Sequence, residues 1–262
     1  MQMKNNQTET EHQLLSAEWA RVGGGFSAEA AERPVDIERL LARSATHASA
    51  DHRLFFVAAT WLGHHHHLVD IRRLGRELAR LEGIQSAAAG AMLSVANLLA
   101  NSPRLEAAER HCRALAEPTA LFDRIAADPV LSEYARREAL PVFVEWGLWH
   151  DEISLKEGAI RPIRWILANC PELRARAIFG ATLDGEIVGA LRERARSVAS
   201  LSRVTGASYA ATHEATTRLS ARGVVTKEDG PRIRLVLTPA VAEWFECYPS
   251  GASVRRRAAD AA

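Results

Sequence analysis

At Gly223 the chain changes its period. Over residues 183–222 apolar side chains recur every three or four positions, and over 224–237 they recur every two. A helical pattern does not pack as a strand, so this switch predicts helices followed by a short hairpin. The first helix puts Leu183, Ile187, Val188 and Leu191 on one face, leaves Glu186, Arg192, Glu193 and Arg194 to solvent, and ends near Arg196. Ser197 is suited to cap a second helix carrying Val198, Leu201 and Val204, which Thr205-Gly206-Ala207 interrupts. Ser208 caps a third, running to about Arg222. It turns Thr212, Ala215 and Leu219 inward and Tyr209, His213, Thr217 and Arg218 outward.

Beyond Gly223, the pattern predicts a strand over 224–227, a turn at Glu228-Asp229-Gly230-Pro231 and a second strand over 232–237. Alternation directs Ile233, Leu235 and Leu237 toward the helices, with Arg232 and Arg234 outward. Thr238-Pro239 then opens a closing helix with Val241, Trp244 and Phe245.

The start Ser208-Tyr209-Ala210-Ala211-Thr212-His213-Glu214-Ala215, the exit Arg218-Leu219-Ser220-Ala221-Arg222-Gly223-Val224-Val225 and the arginine-bearing hairpin resemble the winged helix-turn-helix DNA-binding superfamily of bacterial and archaeal regulators. The resemblance covers residues 182–246, about a quarter of the chain. It implies a mainly α protein: a helical N-terminal domain and a C-terminal winged helix with a two-stranded β-wing. In that superfamily the third helix enters the major groove and the wing touches backbone or minor groove. By that resemblance the expected DNA contacts are Ser197, Arg203, Ser208, Tyr209, His213, Thr217 and Arg218 from the helices, and Lys227, Arg232 and Arg234 from the wing. Thr212 and Thr216 depart from the larger aliphatic residues usual at their positions.

Residues 1–170 hold 19 Lys and Arg against 22 Asp and Glu, and residues 171–262 hold 14 against 10; the nets, −3 and +4, sum to the overall +1. Positive charge is thus concentrated in the C-terminal part, where phosphate attraction needs it. An excess of four charges is modest, so a homodimer acting on two half-sites of double-stranded DNA is expected.

A chain of 262 residues, 47% hydrophobic and 25% charged, is too long for one such module and requires another folded domain. The expected divisions are a mobile N-terminus at 1–10, an all-helical domain at 11–170 for dimerisation, partner or ligand binding, the winged helix at 171–246 and a basic tail at 247–262 carrying Arg255-Arg256-Arg257. Helices are expected at 13–22, 35–45, 51–62, 68–81, 84–100, 103–116, 120–127 and 131–147, seven to nine in all. No run reads as a signal peptide or as long enough to span a membrane, so no membrane partner is expected. Cys112, Cys170 and Cys247 are odd in number and lack paired metal spacing, which fits a reducing cytoplasm.

Three local features invite chemistry. His64-His65-His66-His67 offers His64, His67 and Asp70 on one stripe, a geometry zinc uses, although the run follows a helix end at Trp61-Leu62-Gly63 and reads as a solvated turn. Gly23-Gly24-Gly25 follows a helix rather than a strand and reads as a flexible link. His150-Asp151-Glu152 sits among Trp146, Trp149 and Trp165, which read as core or as a joint between domains. No catalytic, cofactor-binding or metal-binding residue is expected. The alternative to a DNA-binding regulator is a protein-interaction adaptor or antitoxin-like partner, gripping another protein through its helical domain.

Overall fold

The computed structural model describes the backbone of residues 2–228 and 233–246, with side chains from Thr10 to Phe245 within those stretches. The protein is mainly α, and its chain divides into two compact units, Met1–Pro162 and Ile163–Ala262. The division falls eight residues ahead of the expected position at 170.

In the first unit the helices are α1 (Gln2–Arg21), α2 (Ile37–Thr46), α3 (His52–His65), α4 (Ile71–Leu78), α5 (Gly83–Ala100), α6 (Pro103–Glu109), α7 (Asp123–Ala126), α8 (Pro129–Glu138) and α9 (Pro141–Val144). Their starts are written locally. The carboxylates of Asp36, Asp51, Asp70 and Asp128 accept first-turn N–H groups of α2, α3, α4 and α8. Asn101, left-handed at φ 44°, ends α5, and Ser102-Pro103 restarts the chain as α6. Four expected helices are shorter: α4 and α7 lose residues at both ends, α6 stops at Glu109, and Leu140-Pro141 divides 131–147 into α8 and α9, because the residue before proline is driven out of helical geometry. Strands β1 (Thr119–Ala120) and β2 (Leu148–Trp149) form a two-residue parallel pair.

The core of this unit is α3 packed on α5. Every residue from Leu54 to Gly63 is buried, as are Ser86 to Leu93, whose small side chains admit close approach. Each large apolar side chain so buried contributes about 1.5–3 kcal/mol. The indole N–H groups of Trp19, Trp61 and Trp146 donate to Ser44 Oγ, the Val22 carbonyl and Ser94 Oγ, each at 2.9 Å. Gly90 faces the Trp146 ring so closely that a Cβ there would lie 2.3 Å from it. Trp146 is therefore half-buried within the first unit, packed against α5. Helix α5 also corrects a reading of the sequence: its 18 residues, with mean hydropathy 1.3, have the length and composition of a membrane span, yet 56% of it is buried inside the protein.

The triple glycine is not a flexible link. Gly24 forms an antiparallel bridge with Ile160, Arg161 N–H donates to the Gly23 carbonyl at 2.8 Å, and a Cβ on Gly25 would fall 2.6 Å from the Ala159 carbonyl oxygen. Glycine is used here for close backbone approach.

The second unit holds α10 (Ile163–Asn169), α11 (Pro171–Phe179), α12 (Leu183–Glu193), α13 (Val198–Thr205), α14 (Tyr209–Ala221), the antiparallel strands β3 (Val225–Glu228) and β4 (Arg234–Leu237), and α15 (Pro239–Glu246). Ser197 Oγ accepts from Ser200 N–H at 3.3 Å and Ser208 Oγ from Ala211 N–H at 3.2 Å, while Gly206 and Gly223 take φ 68° and 72° after the two helices. Strand register pairs Val225 with Leu237 and Lys227 with Leu235. Arg196 leaves helical geometry earlier than its sequence implies, because its backbone exchanges two hydrogen bonds with Leu235 (3.1 and 2.8 Å). Ile187, Val188, Leu191, Leu201, Ala215, Leu219, Val225, Leu235, Leu237 and Phe245 make the core. Arg174, 2% exposed, ties the unit together by donating to the carbonyls of Leu167, Ala168 and Phe245 at 2.6, 3.0 and 3.1 Å.

Two apolar residues are not where the pattern put them. Val204 is 52% exposed, since two steps of three residues along a 3.6-residue helix rotate it about 120° from Val198. Ile233 is 68% exposed because it precedes β4, past the reach of the helices that cover Leu235 and Leu237.

Candidate nucleic-acid interface

The capped start of α13, the outward face of α14 and the hairpin enclose an open groove of about 530 Å³. Ser197, Val198 and Ala199 form one wall, Lys227, Ile233 and Leu235 the other, and Tyr209, His213, Thr216, Thr217 and Ser220 the floor. The floor follows from helical spacing: His213, Thr217 and Ser220 stand four and seven residues along from one another on α14. Tyr209 and His213, one turn apart and both exposed, stack with centroids 6.3 Å apart and planes inclined by 25°.

The groove thus gathers Ser197, Tyr209, His213, Thr217 and Lys227 of the expected contacts. Ser208 is exposed at the start of α14, its hydroxyl engaged as the cap. Arg203 is exposed on α13, one turn beyond the groove wall, its Nε donating to the Ala199 carbonyl at 3.4 Å. Arg234 is exposed on β4, in register with Glu228. Arg232 lies outside the described residues. Arg218 turns away to α12: its Nη2 and Nε donate to Asp184 at 2.6 and 3.2 Å, and the carboxylate pushes the guanidinium pKa up.

Sequence reasoning missed Val198, Ala199, Thr216, Ser220, Ile233 and Leu235 as groove residues. Ser220 is recoverable from its seven-residue spacing to His213, whereas alternation directs Ile233 to the core. The unusual Thr212 and Thr216 are buried with their hydroxyls satisfied, donating to the carbonyls of Ser208 (2.8 Å) and His213 (2.9 Å). Thr217 donates to the same His213 carbonyl at 2.9 Å. Among the described residues Arg203 and Lys227 have no ion pair, so their charges face outward unneutralised.

The histidine run takes up separate structural tasks. Helix α3 continues through His65, past the expected end at Gly63. His64 Nε2 meets Glu157 at 2.6 Å, and Asp70 accepts the Arg72 and Arg73 N–H groups as a cap. Buried His65 packs on Trp61, and burial pushes its pKa down to about 4. No group of three metal-ligating side chains occurs among the described residues. Cys112 is largely shielded, and burial pushes its thiol up to about 12.

His150 lies in a cage of rings, 4.9 Å from Phe122, 5.1 Å from Phe143, 5.7 Å from His52 and 5.8 Å from Phe56. Neither ring nitrogen has a hydrogen-bond partner, and Asp151 Oδ1, at 3.6 Å, is beyond bonding. Burial holds its pKa down at about 4. The His150-Asp151-Glu152 segment therefore offers a buried, uncharged ring rather than an acid–base pair.

Comparison with known protein families, with curated proteins and with solved structures finds no match to this chain.

Proposed function

We propose that the second unit is a winged helix that binds double-stranded DNA, and that the protein is a sequence-specific, cytoplasmic transcriptional regulator acting as a homodimer. The observation that carries this reading is the groove, in which an exposed, Ser-capped helix lies beside a two-stranded hairpin, with Lys227 on one wall and the exposed Arg203 one turn further along the helix that starts at the other. The bridge between Arg196 and Leu235 adds a third extended segment to the hairpin, which supports the winged-helix reading of the helix, helix, helix, hairpin order. Helix α14 would enter the major groove and the hairpin would lie along the backbone or minor groove.

For the first unit the reading is protein contact. Val130, Leu131 and Tyr134 lie on one side of α8 and are 76, 41 and 49% exposed. Three neighbouring large apolar side chains in water favour a covering surface, here a second copy of the chain. The same observation favours the second reading, an adaptor that grips a different protein.

Fluorescence anisotropy of the duplex upstream of the protein's own coding sequence, set against a scrambled duplex at two salt concentrations, tests the proposal. A preference that survives raised salt is the expected result. Equal, salt-sensitive binding to both duplexes would reduce the groove to a basic surface, and absence of binding would favour the adaptor.

A further inference from the structure

The outward face of α14 carries no free arginine or lysine to give guanine its paired donors. Guanine is read in the major groove by paired donors from arginine or lysine, and adenine by the amide of asparagine or glutamine. Lysine, asparagine and glutamine are absent from α14, and its single arginine, Arg218, is spent on Asp184. Methyl groups, hydroxyls, the stacked Tyr209 and His213 rings and the carboxylate of Glu214 are left. Thr217 has already given its hydroxyl hydrogen to the His213 carbonyl, so it presents a methyl and an acceptor lone pair. Ala210 is exposed and offers only a methyl. Opposite them, Ile233 adds an exposed apolar side chain to the hairpin wall.

The methyl-bearing edge of thymine in the major groove matches the apolar part of this surface. Thymine alone carries a methyl group there, and burying it against Ala, Thr or an aromatic ring is favourable where a guanine edge would find no paired donor. We propose that the groove recognises thymine-bearing steps through their C5-methyl groups. Ala210, Thr217 and the Tyr209 ring supply the apolar contact, and Arg203 and Lys227 engage the flanking phosphates. This rests on the DNA-binding reading and adds the base class to it. The charge pattern fits: Lys227 stands on one wall and Arg203 one turn beyond the other, where a duplex brings its phosphates, and no lysine or arginine lines the floor.

The test uses the full chain and a random-sequence duplex library, followed by replacement of each enriched thymine with deoxyuridine, which removes only the methyl. Enrichment of A·T steps is expected, with affinity falling about fourfold for each methyl lost. In Thr217→Ser, which keeps the hydroxyl and alters an exposed position, one of those uracil effects is expected to vanish. Guanine-centred sites that are indifferent to uracil would overturn the inference and leave DNA binding standing. Uracil effects that persist undiminished in Thr217→Ser would overturn the assignment of Thr217. Failure to enrich any sequence at raised salt would overturn the DNA-binding reading, and this inference with it.

Discussion

Arg218 holds Asp184 across 34 residues of sequence in a two-point grip, Nη2 to Oδ1 at 2.6 Å and Nε to Oδ2 at 3.2 Å. Arg222 stands 3.7 Å from the same carboxylate and Glu214 3.8 Å from Arg218. The pair ties α14 to α12 at the edge of the buried face of Ala215 and Leu219, which sets the rotation of α14. Paired, planar hydrogen bonding of this kind orients a helix in a way a lysine would not.

Arg218→Ala leaves the Asp184 carboxylate, whose side chain is only 11% exposed, without its main partner. A drop of several degrees in melting temperature is expected, with base preference unchanged. Asp184→Asn combined with Arg218→Met should recover most of the loss. A relaxed preference at a single base pair, with unchanged melting, would instead make Arg218 a reading residue.

Neutralising Arg203 or Lys227 should weaken binding to all duplexes alike. Each of Arg203→Ala and Lys227→Ala is expected to lower the slope of log affinity against log salt by about 1, as for one phosphate contact. Titrations at three salt concentrations measure this directly.

Arg174→Met removes the donors to three carbonyls of the second unit, at Leu167, Ala168 and Phe245. Methionine fills similar space but satisfies none of them, so the expected cost is about 3 kcal/mol. Urea unfolding followed by tryptophan fluorescence reads it, since Trp165 and Trp244 belong to this unit.

Acid should destabilise the first unit through His65 and His150, each held near pKa 4 against an ordinary 6.5. Folding favours their neutral form, so stability is complete above about pH 6.5 and declines as pH falls toward 4. At pH 5 each histidine is expected to cost about 1–2 kcal/mol relative to pH 7.5. His150→Phe, which matches the surrounding rings, should remove its share of that loss. An unchanged pH dependence in the variant would show that His150 is not caged as described.

The sequence by itself determined the local punctuation. Ser197 and Ser208, Gly206 and Gly223, and the change of period at residue 223 mark where helices start, where they stop and where the hairpin begins, because each acts through backbone bonds within a few residues. The groove floor of Tyr209, His213 and Thr217 was legible for the same reason, since helical spacing alone puts them on one face. Only the tertiary structure decided the rest. Arg218 looked free until Asp184 met it from another helix, and Ile233 falls before β4, where no helix covers it. The three glycines needed the backbone of residues 159–161 against them before their purpose was visible, and the His150 cage needed rings from two distant segments, α3 and Phe122. Such features depend on which surfaces are brought together across tens of residues, and periodicity carries no record of that partner.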